Sequence, residues 1–306
     1  MAISRAQLAK ELEPGLNALF GMEYARYENQ HAEIYTTESS DRAFEEEVML
    51  SGFGAAPTKS EGSAVNFDDA GEAYTARYNH ETIALAFSIT EEAIEDNLYE
   101  LNGGADGDLK ELFHDLGEAM AENDEVLMAR FLVNGAATTY HTTRDSKALF
   151  ADDHPRLDGS TFDNKATSSD LTYSTFWANL IAAENQYNHR QYRIKKKVKN
   201  LWAPPQYEQK GLEILKSTDR PDTANRAISA YAASGRKIGL KVWPYLTDTD
   251  AHYFQLDGNG IIRFNRRKTR FAREKDFQTG DMMVKSDSRW SAEIQDPQGW
   301  YGVIPA

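Results

Sequence analysis

Eighteen residues, Glu72 to Ile89 (EAYTARYNHETIALAFSI), read as a single β-strand with two unlike halves. From Ile83 onward, Ile83, Leu85, Phe87 and Ile89 alternate with Thr82, Ala84, Ala86 and Ser88, a period of two that sets the large apolar side chains on one face. That face demands a core. From Glu72 to Glu81 the alternation sets Tyr74 and Tyr78 against Arg77 and Glu81, a surface that water or a partner chain tolerates. At about 3.3 Å per residue the strand spans roughly 60 Å, against a usual length of about five or six residues. A two-stranded ribbon is marginal alone and its open edges invite pairing, so such a chain expects neighbours.

A chain of 306 residues and 34.5 kDa is long enough to bury a core in one large domain or two smaller ones. Its 41% hydrophobic and 11% aromatic residues are those of a folded protein. With no cysteine, disulfide staples, thiolate nucleophiles and cysteine-based zinc sites are excluded together. The opening MAISRAQLAKELEPGLNALF lacks an apolar run with a small-residue cleavage site, and no stretch reaches about 18 apolar residues, which predicts a cytoplasmic protein without a membrane partner. Charge is unevenly divided. Residues 1–180 hold 12 Lys and Arg against 34 Asp and Glu, a balance of −22, whereas residues 181–306 hold 22 against 14, a balance of +8. The halves should attract, within a subunit or between subunits, and pairing between subunits would make association sensitive to salt.

Ser4 to about Met22 reads as a short helix broken near Pro14-Gly15, with Leu8, Leu12, Leu16, Leu19 and Phe20 on its apolar side. Glu28 to Ser51 is acidic, includes Glu45-Glu46-Glu47 and has no strong period, which suits an arm laid on other surfaces. After the glycines at 52 and 54, a hairpin from about Thr58 to Ile89 is expected, turning at Asp68-Asp69-Ala70-Gly71. Ser88-Ile89-Thr90-Glu91 fits a capping box and predicts a helix from Thr90 to about Leu101. Beyond Asn102-Gly103-Gly104, the spacing of Leu109, Leu112, Phe113, Leu116, Met120, Leu127 and Phe131 predicts a helix from Asp108 to about Val133. Residues 134–170 read as loop with small strands. A helix over Thr172–Tyr187 with Phe176, Trp177, Leu180 and Ile181 follows, then a strand through Val198, Leu201 and Trp202 and a helix start at Pro204-Pro205. Lys241–Leu246 and His252–Leu256 read as strands, Asp257-Gly258-Asn259-Gly260 as a hairpin-type turn, and further strands run to Tyr301.

No Gly-x-Ser-x-Gly elbow, P-loop or strand-linked Gly-x-Gly-x-x-Gly is present, and the seven histidines never fall in HExxH or HxxxH spacing. Two groups could conceivably hold a metal: His141 with Asp152, Asp153 and His154, and Asp248 with Asp250 and His252. An acidic loop and a polar turn account for them as well, so the chain reads as no enzyme, with no catalytic residue, cofactor or metal.

Four phrases carry a resemblance: GLNALFGMEYARY (Gly15 to Tyr27), FEEEVMLSGFGAAP (Phe44 to Pro57), ARYNHETIALAFSITEEAIEDNLY (Ala76 to Tyr99) and LFADDHP (Leu149 to Pro155). They are similar to the major head proteins of Mu-type tailed bacteriophages, and YLTDTDAHYF (Tyr245 to Phe254) is a fainter echo. The resemblance implies an α+β chain with the Hong Kong 97 bacteriophage capsid fold. Its parts would be an N-terminal arm (1–56), an extended β-hairpin or E-loop (57–89), a peripheral (P) domain with a long spine helix (90–169), an axial (A) domain (170–258) and P-domain return strands (259–306). The function implied is that of a structural major capsid protein, self-assembling as hexamers and pentamers into an icosahedral phage head that encloses double-stranded DNA. It would belong to the virion and be assembled in the host cytoplasm. An encapsulin-like compartment shell shares the fold, and a metal-dependent hydrolase using His141, Asp152, Asp153 and His154 is the remote alternative.

The same resemblance assigns intersubunit contacts to Leu16, Leu19, Phe20, Met22 and Tyr24 of the arm and to Tyr74, Arg77 and Tyr78 of the hairpin. Lys59, the only lysine of the proposed hairpin, is either a charge guarding an open strand edge or the lysine of an isopeptide cross-link such as some capsids of this fold make. The arm-like motif begins by Gly15, directly after Met1, so a separate scaffold is expected, with portal and decoration proteins as further partners.

Two basic runs stand out, Arg190–Lys199 (RQYRIKKKVK) and Arg263–Lys275. Arg193, Lys195, Lys196 and Lys197 in the first and Arg266, Arg267 and Arg270 in the second are candidates for salt bridging between or within subunits. Interleaved Tyr192, Phe264 and Phe271 also permit nucleic-acid contact. A net charge of −14 opposes tight DNA binding, and packaged DNA must slide, so such contact is expected to be weak and non-specific.

Overall fold

His80 interrupts the long segment that alternation joins, and each half pairs with a different partner. The computed structural model describes residues 29–92, 108–166, 169–219 and 228–304. In chain order its strands and helices are β1 (Thr36–Ser39), β2 (Phe44–Leu50), β3 (Glu72–Asn79), β4 (Glu81–Ile89), α1 (Asp108–Val133), β5 (His154–Pro155), β6 (Thr161–Phe162), β7 (Lys165–Ala166), α2 (Tyr173–Glu184), β8 (Val198–Ala203), α3 (Glu208–Lys216), α4 (Ala230–Ser234), β9 (Gly239–Val242), β10 (His252–Leu256), β11 (Ile261–Lys275), β12 (Met282–Ile294) and β13 (Trp300–Val303).

Two sheets organise the body. The first has the order β1-β11-β12-β4, with β11 and β12 a long antiparallel pair. The second has the order β7-β13-β10-β8-β9. Helix α1 serves both. Near its start Phe113 and Leu116 pack on Val284 with Phe87 and Phe271, and towards its end Met128, Phe131 and Leu132 join the main core of Trp202, Trp243, Phe150 and Trp300. Helix α2 covers the second sheet through Phe176 and Leu180, which meet Leu201 and Phe254. Thr172 caps α2 by accepting from the Thr175 N–H (3.2 Å) while Thr175 Oγ1 accepts in return from the Thr172 N–H (2.9 Å). Such a cap contributes about 1 kcal/mol.

The bounds of α1 and β10 agree with the expected helix and strand. Other expectations need correction. The hairpin expected over Thr58–Ile89 is instead β2 paired with β3, from Phe44↔Asn79 to Leu50↔Glu72, while β4 pairs with β12. Residues 44–50, expected in the arm, are thus a hairpin strand, because their backbone pairs with Glu72–Asn79 and Glu47 is held by Arg144 and Gln295 far along the chain. Leu85, expected in the core, is exposed, although Ile83 and Phe87 on the same face are packed against it. Leu112 and Ile181 are likewise exposed at the margins of their helical faces.

Only Gly239–Val242 of the region around the expected Lys241–Leu246 strand is β, because Trp243 to Leu246 closes a turn (Leu246 N–H to Trp243 O, 3.1 Å). The turn at 257–260 does not join a hairpin. It passes the chain from the second sheet to the first, and Gly258 and Gly260 supply the positive φ values of 83° and 74° that this crossing requires. The return of residues 259–306 to the first sheet ends at Ile294, because the turn at Pro297–Gly299, capped by Asp296, redirects β13 into the second sheet. The Thr90 helix lies mostly outside the described residues, and Glu91, expected in its capping box, pairs with Lys275 (2.5 Å).

Candidate assembly interface

Strand β2 carries its polarity inside out, whereas β3 turns Ala76 and Tyr78 inward and Thr75, Arg77 and Asn79 outward. Alternation along β2 turns Glu45, Glu47 and Met49 towards the body and Phe44, Glu46, Val48 and Leu50 away from it. The inward glutamates are matched. Glu47 accepts from Tyr78 Oη (3.0 Å) and Gln295 Nε2 (3.0 Å) and pairs with Arg144, and Glu45 accepts from Ser40 Oγ (2.7 Å). Tyr78 is fully buried, its ring 5.0 Å from that of Phe264, and burial followed by the Glu47 charge raises its phenol well above the usual value. Of the outward side chains Phe44 lies under the Arg77 guanidinium, but the apolar ones beyond it are uncovered. Val48 is 44% and Leu50 65% exposed, and in the loop beyond them Phe53 is 65%, Val65 64% and Phe67 95% exposed. A strand meant for water has the opposite arrangement to that of β2.

Both strands leave the body at one place. There His80 bridges Ser40 Oγ (Nε2, 2.9 Å) before β2 and Ser291 Oγ (Nδ1, 2.9 Å) on β12. Burial, followed by the Arg289 charge, holds the His80 imidazole below its ordinary pKa. Higher up, Tyr74 Oη donates to Pro155 O (3.3 Å) beside the His189 ring.

The family model for phage capsid proteins matches residues 72–303, most of the chain. This chain belongs to the phage capsid protein family. Its fold is that of solved Hong Kong 97-type capsids. It is similar to the capsid of an empty GTA particle (TM-score 0.57, 11% identity, 91% of this chain and 90% of that one covered). It is also similar to the capsid of Myoviridae phage XM1 (0.55, 9%, 89% and 89%) and to a virus-like particle from Pyrococcus furiosus (0.52, 10%, 95% and 98%). A comparison with curated proteins found no match. The protein is a structural capsid subunit.

Of the contact residues expected in this capsid subunit, Leu16, Leu19, Phe20, Met22 and Tyr24 fall outside the described residues. Tyr78 is corrected: it is a core residue of its own chain, packed on Ile262 and Phe264. Arg77 is exposed, its guanidinium 3.7 Å above the Phe44 ring, and Lys59 is exposed within the loop between the two strands. Lys195 and Lys197 face solvent, Arg193 donates to Asn185 Oδ1 (2.8 Å), and Lys196 turns inward to Asp296 (2.7 Å).

The second basic run pairs largely with its own subunit. Arg263 meets Asp124 (3.1 Å), Arg266 meets Asp41 (3.4 Å), and Arg267 and Arg270 both meet the buried Asp287. The Arg263–Asp124 and Arg266–Asp41 pairs, together with Lys241–Glu33 (2.6 Å), join the acidic and basic halves within one subunit. The sequence did not single out the buried polar group around α1. There His31 Nδ1 lies 2.7 Å from Glu125 Oε1, Trp243 Nε1 donates to Glu125 Oε2 (2.8 Å), and Arg263 stacks on Trp290 (4.2 Å). The adjacent Asp124-Glu125 pair on a mostly apolar helix face was the available signal.

The imagined metal groups are not brought together. His154 is buried against Asp145 (2.8 Å), Asp153 pairs with Lys147, and His141 stacks on Phe131 (3.6 Å). Burial disfavours the Asp145 anion, but hydrogen bonds from His154 and Thr143 outweigh it and hold the carboxyl below its usual range. Asp248 and Asp250 cap a turn (Asp250 N–H to Asp248 Oδ1, 3.1 Å), whereas His252 is buried. His114, Asp115 and Glu118 do lie close together on α1, the histidine half-buried and the two carboxylates exposed, with separations of 3.8 and 3.9 Å from the histidine. Among the described residues no helix is long and apolar enough to cross a membrane.

Proposed function

We propose that this capsid subunit is of the Mu type and forms hexamers and pentamers that close into an icosahedral head around double-stranded DNA, without catalytic activity. The outward apolar face of Val48, Leu50, Phe53 and Phe67 carries the reading, since a second copy of the chain gives that face the burial its own subunit withholds. The Mu-type assignment rests on the phrases at 15–27, 44–57, 76–99 and 149–155. In this reading residues 1–43 are the arm, the hairpin with its loop is the E-loop, α1 with β4, β11 and β12 forms the P domain, and α2 to β10 with β13 forms the A domain. The arm residues Leu16, Leu19, Phe20, Met22 and Tyr24, with Arg77 of the hairpin, lie on adjacent subunits, and Tyr78, with Tyr74 bonded to Pro155 O, supports the ribbon from beneath. A separate scaffold, a portal and decoration proteins complete the head, which is assembled in the host cytoplasm. Enclosed DNA meets few free cations in the second basic run, because most of them already pair within the subunit.

Negative-stain microscopy with light scattering on the purified chain tests this. Closed shells, or rings of five and six, are expected. A 34.5 kDa monomer at high concentration, even with scaffold present, overturns it. The likeness to a Pyrococcus furiosus virus-like particle supports a second reading, a compartment shell, and nucleic acid in purified mature shells separates the two.

A further inference from the structure

The loop beyond the hairpin is tied to the body at its neck by one side chain. Arg190, between α2 and β8, donates from Nε to Ser51 O (3.0 Å) and from Nη2 to Ser51 Oγ (3.1 Å), Gly52 O (3.0 Å) and Asp69 O (3.4 Å). One guanidinium therefore grips the chain on both sides of residues 52–70, none of which is in a strand. The neck is closed by Ser51 N–H to Gly71 O (2.8 Å) and Gly71 N–H to Ser51 Oγ (3.0 Å). Just beyond, the Gly54 N–H donates to Asp68 Oδ2 (2.5 Å), and this bond, aided by the Arg190 charge, holds the exposed Asp68 carboxyl below the usual range.

Arg190 is aimed at the neck by its own turn. Asn188 Oδ1 accepts from the Arg190 N–H (3.0 Å) and the Tyr192 N–H (2.8 Å), and the Gln191 N–H donates to Asn188 O (3.0 Å). The turn forces Gln191 to a φ of 62°, a left-handed conformation that a residue with a Cβ adopts only at a steric cost. Its base is fixed by Gln298 Nε2 donating to Tyr187 O (2.7 Å) and by the Tyr187↔Arg193 bridge. A planar fork can serve several carbonyls at fixed angles, which the point charge of a lysine does not do.

We infer that Arg190 is the positioning residue of the extended loop: it sets the direction in which residues 52–70 leave the subunit, and with it the place where Phe53 and Phe67 meet a neighbour. The consequence for assembly rests on the capsid-shell reading, whereas the clamp itself does not.

Full-length Arg190→Lys and Arg190→Gln test both parts, by hydrogen exchange on the unassembled subunit and by microscopy of the shells formed. Exchange at the Ser51, Gly54 and Gly71 amides is expected to rise about tenfold in both variants while β11 and β12 keep their rates, the pattern of a local release. Shells are expected to fall at least about tenfold in yield or to lose their uniform diameter, as near-neutral contacts elsewhere cannot reorient the loop. Neck exchange that stays unchanged in Arg190→Gln overturns the clamp, and wild-type behaviour in Arg190→Lys overturns the role of the fork. Faster neck exchange with normal shells overturns the positioning role. Failure of the unaltered chain to form shells even with scaffold present removes the shell-forming reading and the positioning role with it, while exchange still decides the clamp.

Discussion

The junction of α1 with β11 and the β2–β3 ribbon both place carboxylates on a body-facing side, yet they treat their apolar side chains in opposite ways. In the junction Asp124 and Glu125 are buried with Arg263, His31 and Trp243, and the aromatic rings of Tyr35 and Trp290 close around the guanidinium. In the ribbon Glu45 and Glu47 are matched as well, but Val48 and Leu50 are left to solvent. In both places the subunit pairs its buried charges by itself, because a buried unpaired charge would cost several kcal/mol. It leaves apolar surface unburied, a tolerable cost that a neighbouring copy can recover.

The most direct way to break this contrast is Arg263→Met, which leaves Asp124 buried without its guanidinium and is expected to lower the stability of the unassembled subunit by about 3–5 kcal/mol. Denaturant unfolding measures it, and the double variant with Asp124→Leu should recover most of the loss. A loss below about 1 kcal/mol in the single variant contradicts a buried carboxylate that depends on Arg263.

A second, smaller effect concerns a titratable group buried with no such partner. Burial alone pushes His252 down to about 3, so it stays neutral in the fold while the unfolded chain takes up a proton below about 6.5. The folded pKa is the depressed one, so the contribution is fully present above about 6.5 and is lost progressively as pH falls from there towards 3. His189 and His80, also lowered chiefly by burial, act in the same direction. Between pH 8 and pH 5 a loss of about 1–2 kcal/mol is expected from His252, and His252→Leu should flatten the pH profile by that amount. An unchanged slope in the variant counts against the assignment.

The contrast is sharpened by Val48→Asp with Leu50→Asp. Stability of the free subunit should move by no more than about 0.5 kcal/mol, since neither side chain is buried there, while shells disappear from micrographs. Shells that still form would show that the ribbon's outer face is not a contact. The smallest effect belongs to exposed pairs such as Lys275–Glu91: Lys275→Ala should change stability by less than about 0.5 kcal/mol. Because the pairs joining the acidic and basic halves lie within the subunit, assembly followed by light scattering should persist to about 0.5 M salt.

Local spacing was enough for α1, because Phe113, Leu116, Met120 and Phe131 recur at the period of a helix that turns one face to a core. It was enough for β10, five residues buried along their whole length between β8 and β13. It failed at β2, whose three glutamates read as an acidic arm. The groups that make Glu47 an inward residue, Arg144 and Gln295, lie 97 and 248 positions away. It failed at Tyr78 for the same reason, since Phe264 and Ile262 bury it from the far end of the chain. The Arg190 clamp was hidden inside a run that reads as a basic patch, with its carbonyl partners 121 to 139 positions away.

The amino-acid sequence by itself determined the α+β composition, the long helix, the two strands β8 and β10 of the second sheet and, through four phrases, the kind of protein this is. Periodicity within a segment fixes which side chains share a face, and that information is local. Only the tertiary structure decided what each face meets. The break at His80, the pairing of β2 with β3 and the inward turn of the glutamates depend on hydrogen bonds to residues as far away as Ser291, whose energies exist only once the chain has closed on itself.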